Sequence, residues 1–234
     1  MTQRPVGEVV SGWREAADPA DLQLSGIWTD MRPLGASDAP ALWSEMKGHD
    51  WLWDYLSPEP PQTEAALAQI VQGIVSDTAR PAYAICAKGT DTALGYATYY
   101  TVDRANGSNE IGNVNLSPAL QRTRMATEAF HMMSGWAFAN GYRRMEWKCN
   151  ALNAPSRRAA TRLGFSFEGV FRNHMVIKGR NRDTAWFAIT LEDWVQIGAA
   201  QATWLDPENF DGSGTQKQSL RALTEPHLYR SDPG

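Results

Sequence analysis

Between residues 82 and 176 the apolar pattern changes period repeatedly, and this alternation constrains the chain more than any other feature. Three runs of strand character come first, at 82–87, 93–102 and 110–116. They are separated by Lys88-Gly89-Thr90-Asp91 and by Arg104-Ala105-Asn106-Gly107, in which Asn106-Gly107 is a tight-turn signal. The period then lengthens. Residues 125–140 read as one amphipathic helix closed by Gly141. A strand follows at 144–150 and a second helix at 155–163, stopped by Gly164. Two more strands, 165–176 and 186–190, flank a turn at Lys178-Gly179-Arg180-Asn181-Arg182. Helices packed on a mixed sheet give an α/β, or α+β, layer.

The flanks extend this plan. Residues 26–34 form a short strand-like run that ends in a proline. Ser37 or Asp38 caps a helix over 39–46, and Thr63 caps another over 64–75, with Leu67, Ile70, Val71 and Ile74 on one face. A Trp-rich loop at 49–56 lies between them, ended by Pro58-Glu59-Pro60-Pro61. The expected order is β-α-α-β-β-β-α-β-α-β-β, with a last helix over 192–204. Three regions result: an irregular extension, 1–25, that docks through Trp13; a main domain, 26–195; and 196–234, a helix followed by a flexible tail rich in Gly, Ser, Gln and Pro.

Composition excludes several classes. Hydrophobic residues at 43% and charged residues at 21% of the 234 argue for a packed core and against disorder. A net charge of −4 gives no reason to expect a nucleic-acid partner. The two cysteines, Cys86 and Cys149, sit in apolar strand-like runs and read as buried free thiols. No Cys/His spacing suits zinc, so no metal is expected. No apolar stretch reaches the ~18 residues of a membrane span. The first residues lack an apolar signal core, so the expectation is a cytoplasmic protein, monomer or homodimer, with no membrane partner.

The chemistry concentrates in 110–169. The connection Ser117-Pro118-Ala119-Leu120-Gln121-Arg122-Thr123 runs from a strand into a helix start, whose free N–H groups and dipole suit phosphate oxygens. Arg122 and Arg124 add charge there; an ordinary connection with solvated arginines is the alternative. After the next strand come Asn150-Ala151-Leu152-Asn153-Ala154-Pro155-Ser156, then Arg162-Leu163-Gly164-Phe165-Ser166-Phe167-Glu168-Gly169. With the helix start Ala126-Thr127-Glu128-Ala129, this ordered set resembles the GNAT superfamily of N-acetyltransferases. Within it, the set resembles the branch that includes the ribosomal-protein N-terminal acetyltransferases. The resemblance spans roughly 26–195.

That resemblance implies the GNAT fold, a central mixed, mostly antiparallel sheet flanked by helices. It also implies acetyl-CoA as co-substrate, no metal, and a small-molecule or peptide amine as acceptor. The reaction would be direct attack in a ternary complex. A non-catalytic acyl-CoA-binding module and a transferase of longer acyl groups are the alternatives. The coenzyme would lie against Val114, Asn115 and Leu116 of the splayed strand, the loop Gln121, Arg122, Thr123, Arg124, Met125, Ala126 and Thr127, and Asn153 and Ser156. Glu110 matches a strand glutamate that serves as general base; an exposed strand-end carboxylate is the other reading. The tetrahedral intermediate needs a backbone N–H donor, which the resemblance puts at 113–116. Ser156 would help protonate the leaving thiolate, or is an ordinary first-turn residue. Asn153 would contact the pantetheine, or cap the helix that Ala154-Pro155 begins. Arg124 stands where the family's phosphate loop has its first glycine, and Ala160 where many relatives carry a tyrosine acid. On the acceptor side, Trp51, Trp53 and Tyr55 would share one side of an extended loop, walling a pocket or covering the core. His174 and the charged hairpin at 178–183 lie close by in the same expectation.

Overall fold

The computed structural model describes residue 4 and residues 6–234. One eight-stranded sheet runs through it in the order β1-β2-β3-β4-β5-β6-β8-β7. The strands are β1 (Leu24–Ser25), β2 (Thr29–Pro33), β3 (Ala82–Ala87), β4 (Ala93–Asp103), β5 (Ser108–Leu116), β6 (Arg144–Asn150), β7 (Ser166–Ile177) and β8 (Arg180–Thr190). Every neighbouring pair is antiparallel except β5 and β6. The mixed, mostly antiparallel sheet is therefore as expected.

Alternation along the strands splits the core in two. Ala84 and Cys86 of β3 and Tyr96 of β4 face α1 (Ala39–Met46) and α2 (Glu64–Ser76), where Leu42, Met46, Leu67 and Val71 complete one cluster. Tyr83 and Ile85 of β3 and Ala97 and Tyr99 of β4 point the other way, into the larger cluster. That cluster holds α3 (Arg124–Ala139), α4 (Ala154–Arg162) and α5 (Leu191–Leu205).

Local chemistry explains the helix boundaries. Thr63, Thr123, Asn153 and Thr190 each cap a helix, accepting from the main-chain N–H of Ala66, Ala126, Ser156 and Asp193. Gly107 ends the β4–β5 connection at φ +65°, and the Trp13 ring lies so close that a side chain there would collide with it. Trp13 also donates its indole N–H to the Ala105 carbonyl at 3.0 Å, which docks the N-terminal extension.

Four expectations are corrected. Within 26–34 the strand is only Thr29–Pro33, β2, and it pairs back on β1 at Leu24–Ser25, which lies inside the stretch expected to be irregular. The turn at 178–182 shrinks to Lys178-Gly179, because Arg180 pairs with Ile177 and Arg182 with Met175, extending β8 backwards. The Trp-rich loop is not extended: a 3-10 turn over Asp50–Trp53 sends Trp51 outward, 50% exposed, and Trp53 inward, 2% exposed. Residues 207–234 do not wander. They form a 3-10 turn at Pro207–Asn209 and α6 (Leu220–Thr224), with Leu220 buried in the main cluster.

Candidate active site

The sheet opens between β5 and β6. Their parallel pairing covers only Ser108–Arg144, Asn109–Met145 and Glu110–Glu146. Beyond Glu110, β6 stays with β8 through Asn150, while β5 stays with β4. One cause lies in β5. From Tyr96↔Asn115 to Thr98↔Gly112, β4 advances two residues and β5 three, so β5 carries an extra residue, with Asn113 at φ +46°. Such a bulge bends the strand and leaves main-chain groups unpaired. The result is a slot between the two strands, bordered by Val114, Asn115 and Leu116. Val114 and Leu116 are half-buried against the core. Asn115 is buried beside Tyr96, and neither of its amide atoms has a partner among the described residues.

The N-terminus of α3 follows β5 after one connection. Gln121 ties that connection back to β5, its side-chain amide donating to the Leu116 carbonyl at 2.9 Å. Arg122 sits at φ +61°. Thr123 caps the helix, and its hydroxyl donates to the Leu120 carbonyl at 2.6 Å. Among the described residues, the main-chain N–H groups of Arg122, Thr123, Arg124 and Met125 find no acceptor. Successive free donors on a helix start are the kind of group that can hold phosphate oxygens. Thr127, buried one turn on, receives the Arg162 guanidinium at 2.7 Å.

Arg124 does not reach into this loop. Its guanidinium lies over the Trp28 ring at 4.0 Å and the Phe210 ring at 4.5 Å. One turn further along α3, the buried Glu128 carboxylate accepts three main-chain N–H groups of the β1–β2 turn: Ile27 at 2.7 Å, Trp28 at 2.7 Å and Thr29 at 2.8 Å. Gly26 is required beside it, since a Cβ there would overlap the carboxylate.

Glu110 sits where the slot begins, and it is not an exposed strand-end carboxylate. It is 4% exposed, pairs with Lys148 Nζ at 2.7 Å and accepts the Thr101 hydroxyl at 2.8 Å. Burial raises its pKa above the usual glutamate value, and the Lys148 charge opposes that rise. Lys148 lies over the Trp186 ring at 4.3 Å and within 3.6 Å of Glu146. Lys148, Thr101 and Trp186 were not singled out in the sequence. Strand period tells which residues share a face, but not which strand lies opposite.

Across the slot, Asn153 caps α4, its Oδ1 accepting from Ser156 N at 3.1 Å. Ser156 Oγ accepts the Trp147 indole N–H at 3.0 Å, which leaves its hydroxyl as a donor, with the Cys149 thiol as one neighbour in reach. Burial pushes the Cys149 thiol up, with the Ser156 hydroxyl bonding to it as an opposing effect, so Cys149 is a poor nucleophile. Ala160 is fully buried and offers no acid.

The 49–60 segment roofs the far side. Lys178 donates to the Trp53 carbonyl at 2.8 Å, and Tyr55 donates to the Leu152 carbonyl at 3.1 Å. His174 is exposed, with Nδ1 at 2.9 Å from Thr184 Oγ1, and it forms an aromatic cluster with Phe171 and Trp186. The structure thus brings Tyr55, His174 and the hairpin tip to one rim, places Trp53 beneath it, and turns Trp51 to the outside.

A mixed sheet parted beside its centre, with unclaimed helix-start amides after β5, offers a slot and a helix start suited to an anionic group. Residues 30–166 match the acetyltransferase (GNAT) domain family. A GCN5-related N-acetyltransferase from Brucella melitensis is 35% identical, with a TM-score of 0.88 over 92% of this chain and all of that one. A probable GNAT-family acetyltransferase from Chromobacterium violaceum is 40% identical, with a TM-score of 0.78 over 82% of this chain and 98% of that one. The N-acetyltransferase p20 of Bacillus licheniformis is 28% identical over 113 residues, 48% of this chain, and the match spans 63% of that protein's length. The ribosomal L7/L12 α-N-protein acetyltransferase RimL, 20% identical at a TM-score of 0.62, shares the fold. The chain belongs to the GNAT acetyltransferase family.

Proposed function

We propose that this protein moves an acetyl group from acetyl-CoA to a primary amine, by direct attack while both are bound. The observation that carries the reading is the β5–β6 slot together with the unpartnered amides of Arg122, Thr123, Arg124 and Met125. When bound, acetyl-CoA supplies an activated acyl carbon and a thiolate leaving group. The chain's residues fit it: the amides and Arg162 face its diphosphate end, and main chain at 113–116 borders its amide-rich arm.

Glu110 takes the proton of the incoming amine. A free α-amino group titrates near ~8 and a lysine near ~10.4, so part of the acceptor is protonated at neutral pH. The carboxylate must be ionised to act. Because burial raises its pKa, the acidic limb of the rate profile lies above the ordinary glutamate range. Ser156, with its lone pair engaged by Trp147, gives its proton toward the departing sulfur. N–H groups at 113–116 receive the charge that develops on the acyl oxygen. The rim of Tyr55 and His174 meets the acceptor, which is a small-molecule amine, an amino acid or a peptide N-terminus, while Trp53 is buried in the core and Trp51 faces outward. Among the described residues no helix is long and apolar enough to cross a membrane. A cytoplasmic place, and a monomer or homodimer, complete the reading.

A thiol-release assay with acetyl-CoA and a panel of amines, run beside calorimetry with coenzyme A, tests it. Saturable coenzyme uptake with amine-dependent thiol release is expected. Absence of uptake would refute the reading. Uptake without release from any amine would instead make the chain a binding module, and preference for succinyl-CoA would change the donor.

A further inference from the structure

Residues 206–234 follow the last strand and helix of the sheet-based domain, and their far end returns to the catalytic face of α4. Phe167 N donates to the Arg230 carbonyl at 3.0 Å, and Tyr229 N donates to Ser166 Oγ at 2.9 Å, which lays the segment along the start of β7. Asp232 then grips Arg157 through two oxygens, one on Nη2 and one on Nε at 2.9 Å. The pair is shielded, with 11% of the Arg157 side chain and 9% of the Asp232 side chain exposed. The remaining nitrogen, Nη1, donates to the Ala151 carbonyl at 3.0 Å. The Ala151 N–H is held from the opposite side by the Asp183 carbonyl at 2.8 Å.

Ala151 opens the β6–α4 connection, and Arg157 is the chain neighbour of Ser156. A planar guanidinium fixed by a fork to one carboxylate has little freedom left. Its third contact therefore sets the height of the connection above β6, and with it the direction of the first turn of α4. We infer that Asp232 is a positioning residue for acyl transfer: through Arg157 and the Ala151 carbonyl it fixes where Ser156 stands against the sulfur end of the slot. This rests on the acetyl-transfer reading.

The test is a double-substitution cycle on the full chain, with Asp232→Asn, Ser156→Ala and both together. It measures kcat, KM for acetyl-CoA and for the amine, and the melting temperature. Asp232→Asn should lower kcat about tenfold, a sub-ångström misplacement of a reacting group being costly, with amine KM within about twofold. In the Ser156→Ala background the same substitution should change kcat less than about twofold, because there is no hydroxyl left to misplace. Arg157→Lys, which keeps the charge and loses the fork, should repeat the pattern. Equal losses in both backgrounds, or no loss in either, would overturn the role and leave acetyl transfer standing. No thiol release from the unsubstituted protein would overturn acetyl transfer and this role together.

Discussion

Replacing Glu128 by alanine tests the physical account of α3, the helix whose start presents the unpartnered amides. Its carboxylate sits 4% exposed and holds three main-chain donors, from Ile27, Trp28 and Thr29. A hydrogen bond to a charged group contributes about 1.5–3 kcal/mol, and a donor left buried without a partner costs about 1–3 kcal/mol. Only the Thr29 bond is fully buried; Ile27 and Trp28 are part-buried and regain water on truncation. Counting Thr29 in full and the others at half gives a loss of about 3–6 kcal/mol. That is a large share of the about 5–15 kcal/mol that holds a domain folded. At about 2–4 °C per kcal/mol for a chain of this size, the melting temperature should fall by about 6–24 °C. Urea unfolding followed by tryptophan fluorescence, with a thermal melt beside it, gives both numbers. A loss under about 1 kcal/mol would refute the claim that these amides depend on the carboxylate.

Glu110→Gln should depress kcat most below about pH 8, where free amine is scarce, and should remove the acidic limb that the raised Glu110 pKa creates; a pH–rate profile of unchanged shape excludes Glu110 as the proton acceptor. Ser156→Ala should slow turnover by about tenfold or more while calorimetry finds coenzyme A affinity nearly intact; normal turnover reduces Ser156 to a first-turn residue. Arg124→Gly should cost about 1–2 kcal/mol of stability, from the lost stack on Trp28 and Phe210 and the added backbone freedom. Coenzyme affinity should stay within about threefold of the parent. A tenfold loss of affinity at an unchanged melting temperature would show the guanidinium gripping phosphate.

The long periodic elements were readable from the residues alone. Helix α3, expected at 125–140, is Arg124–Ala139, and its Thr123 cap and Gly141 stop are local effects that need no tertiary knowledge. The connection into α3 is legible as a strand-to-helix switch, whereas the slot at 114–116 follows from the family resemblance and not from the period of the strand. Cross-strand partners were not. Glu110 and Lys148 meet because β5 and β6 happen to lie side by side in parallel, and nothing in either strand announces that neighbour. The Trp-rich segment misled because alternation at Trp51, Trp53 and Tyr55 fits both an extended loop and a tight turn. A buried Trp53 and the tether from Lys178 decide between them. The C-terminal segment misled in the opposite way. Its Gly, Ser and Gln content masks a few anchors, Phe210 on Trp28, Leu220 in the main cluster and Asp232 on Arg157, each with a partner far away in the chain.

The three-residue zip between β5 and β6 leaves the sheet as two leaves of a book, β1 to β5 on one side and β6 to β8 on the other. If acetyl-CoA lies in the gutter as proposed, it would supply lateral pairing that the leaves lack beyond Glu110. Its arrival would then stiffen the spine as well as fill the gap, and amides on both leaves would exchange with solvent more slowly once the donor is seated. Ligand occupancy and the rigidity of the whole page would thus become a single property of this molecule.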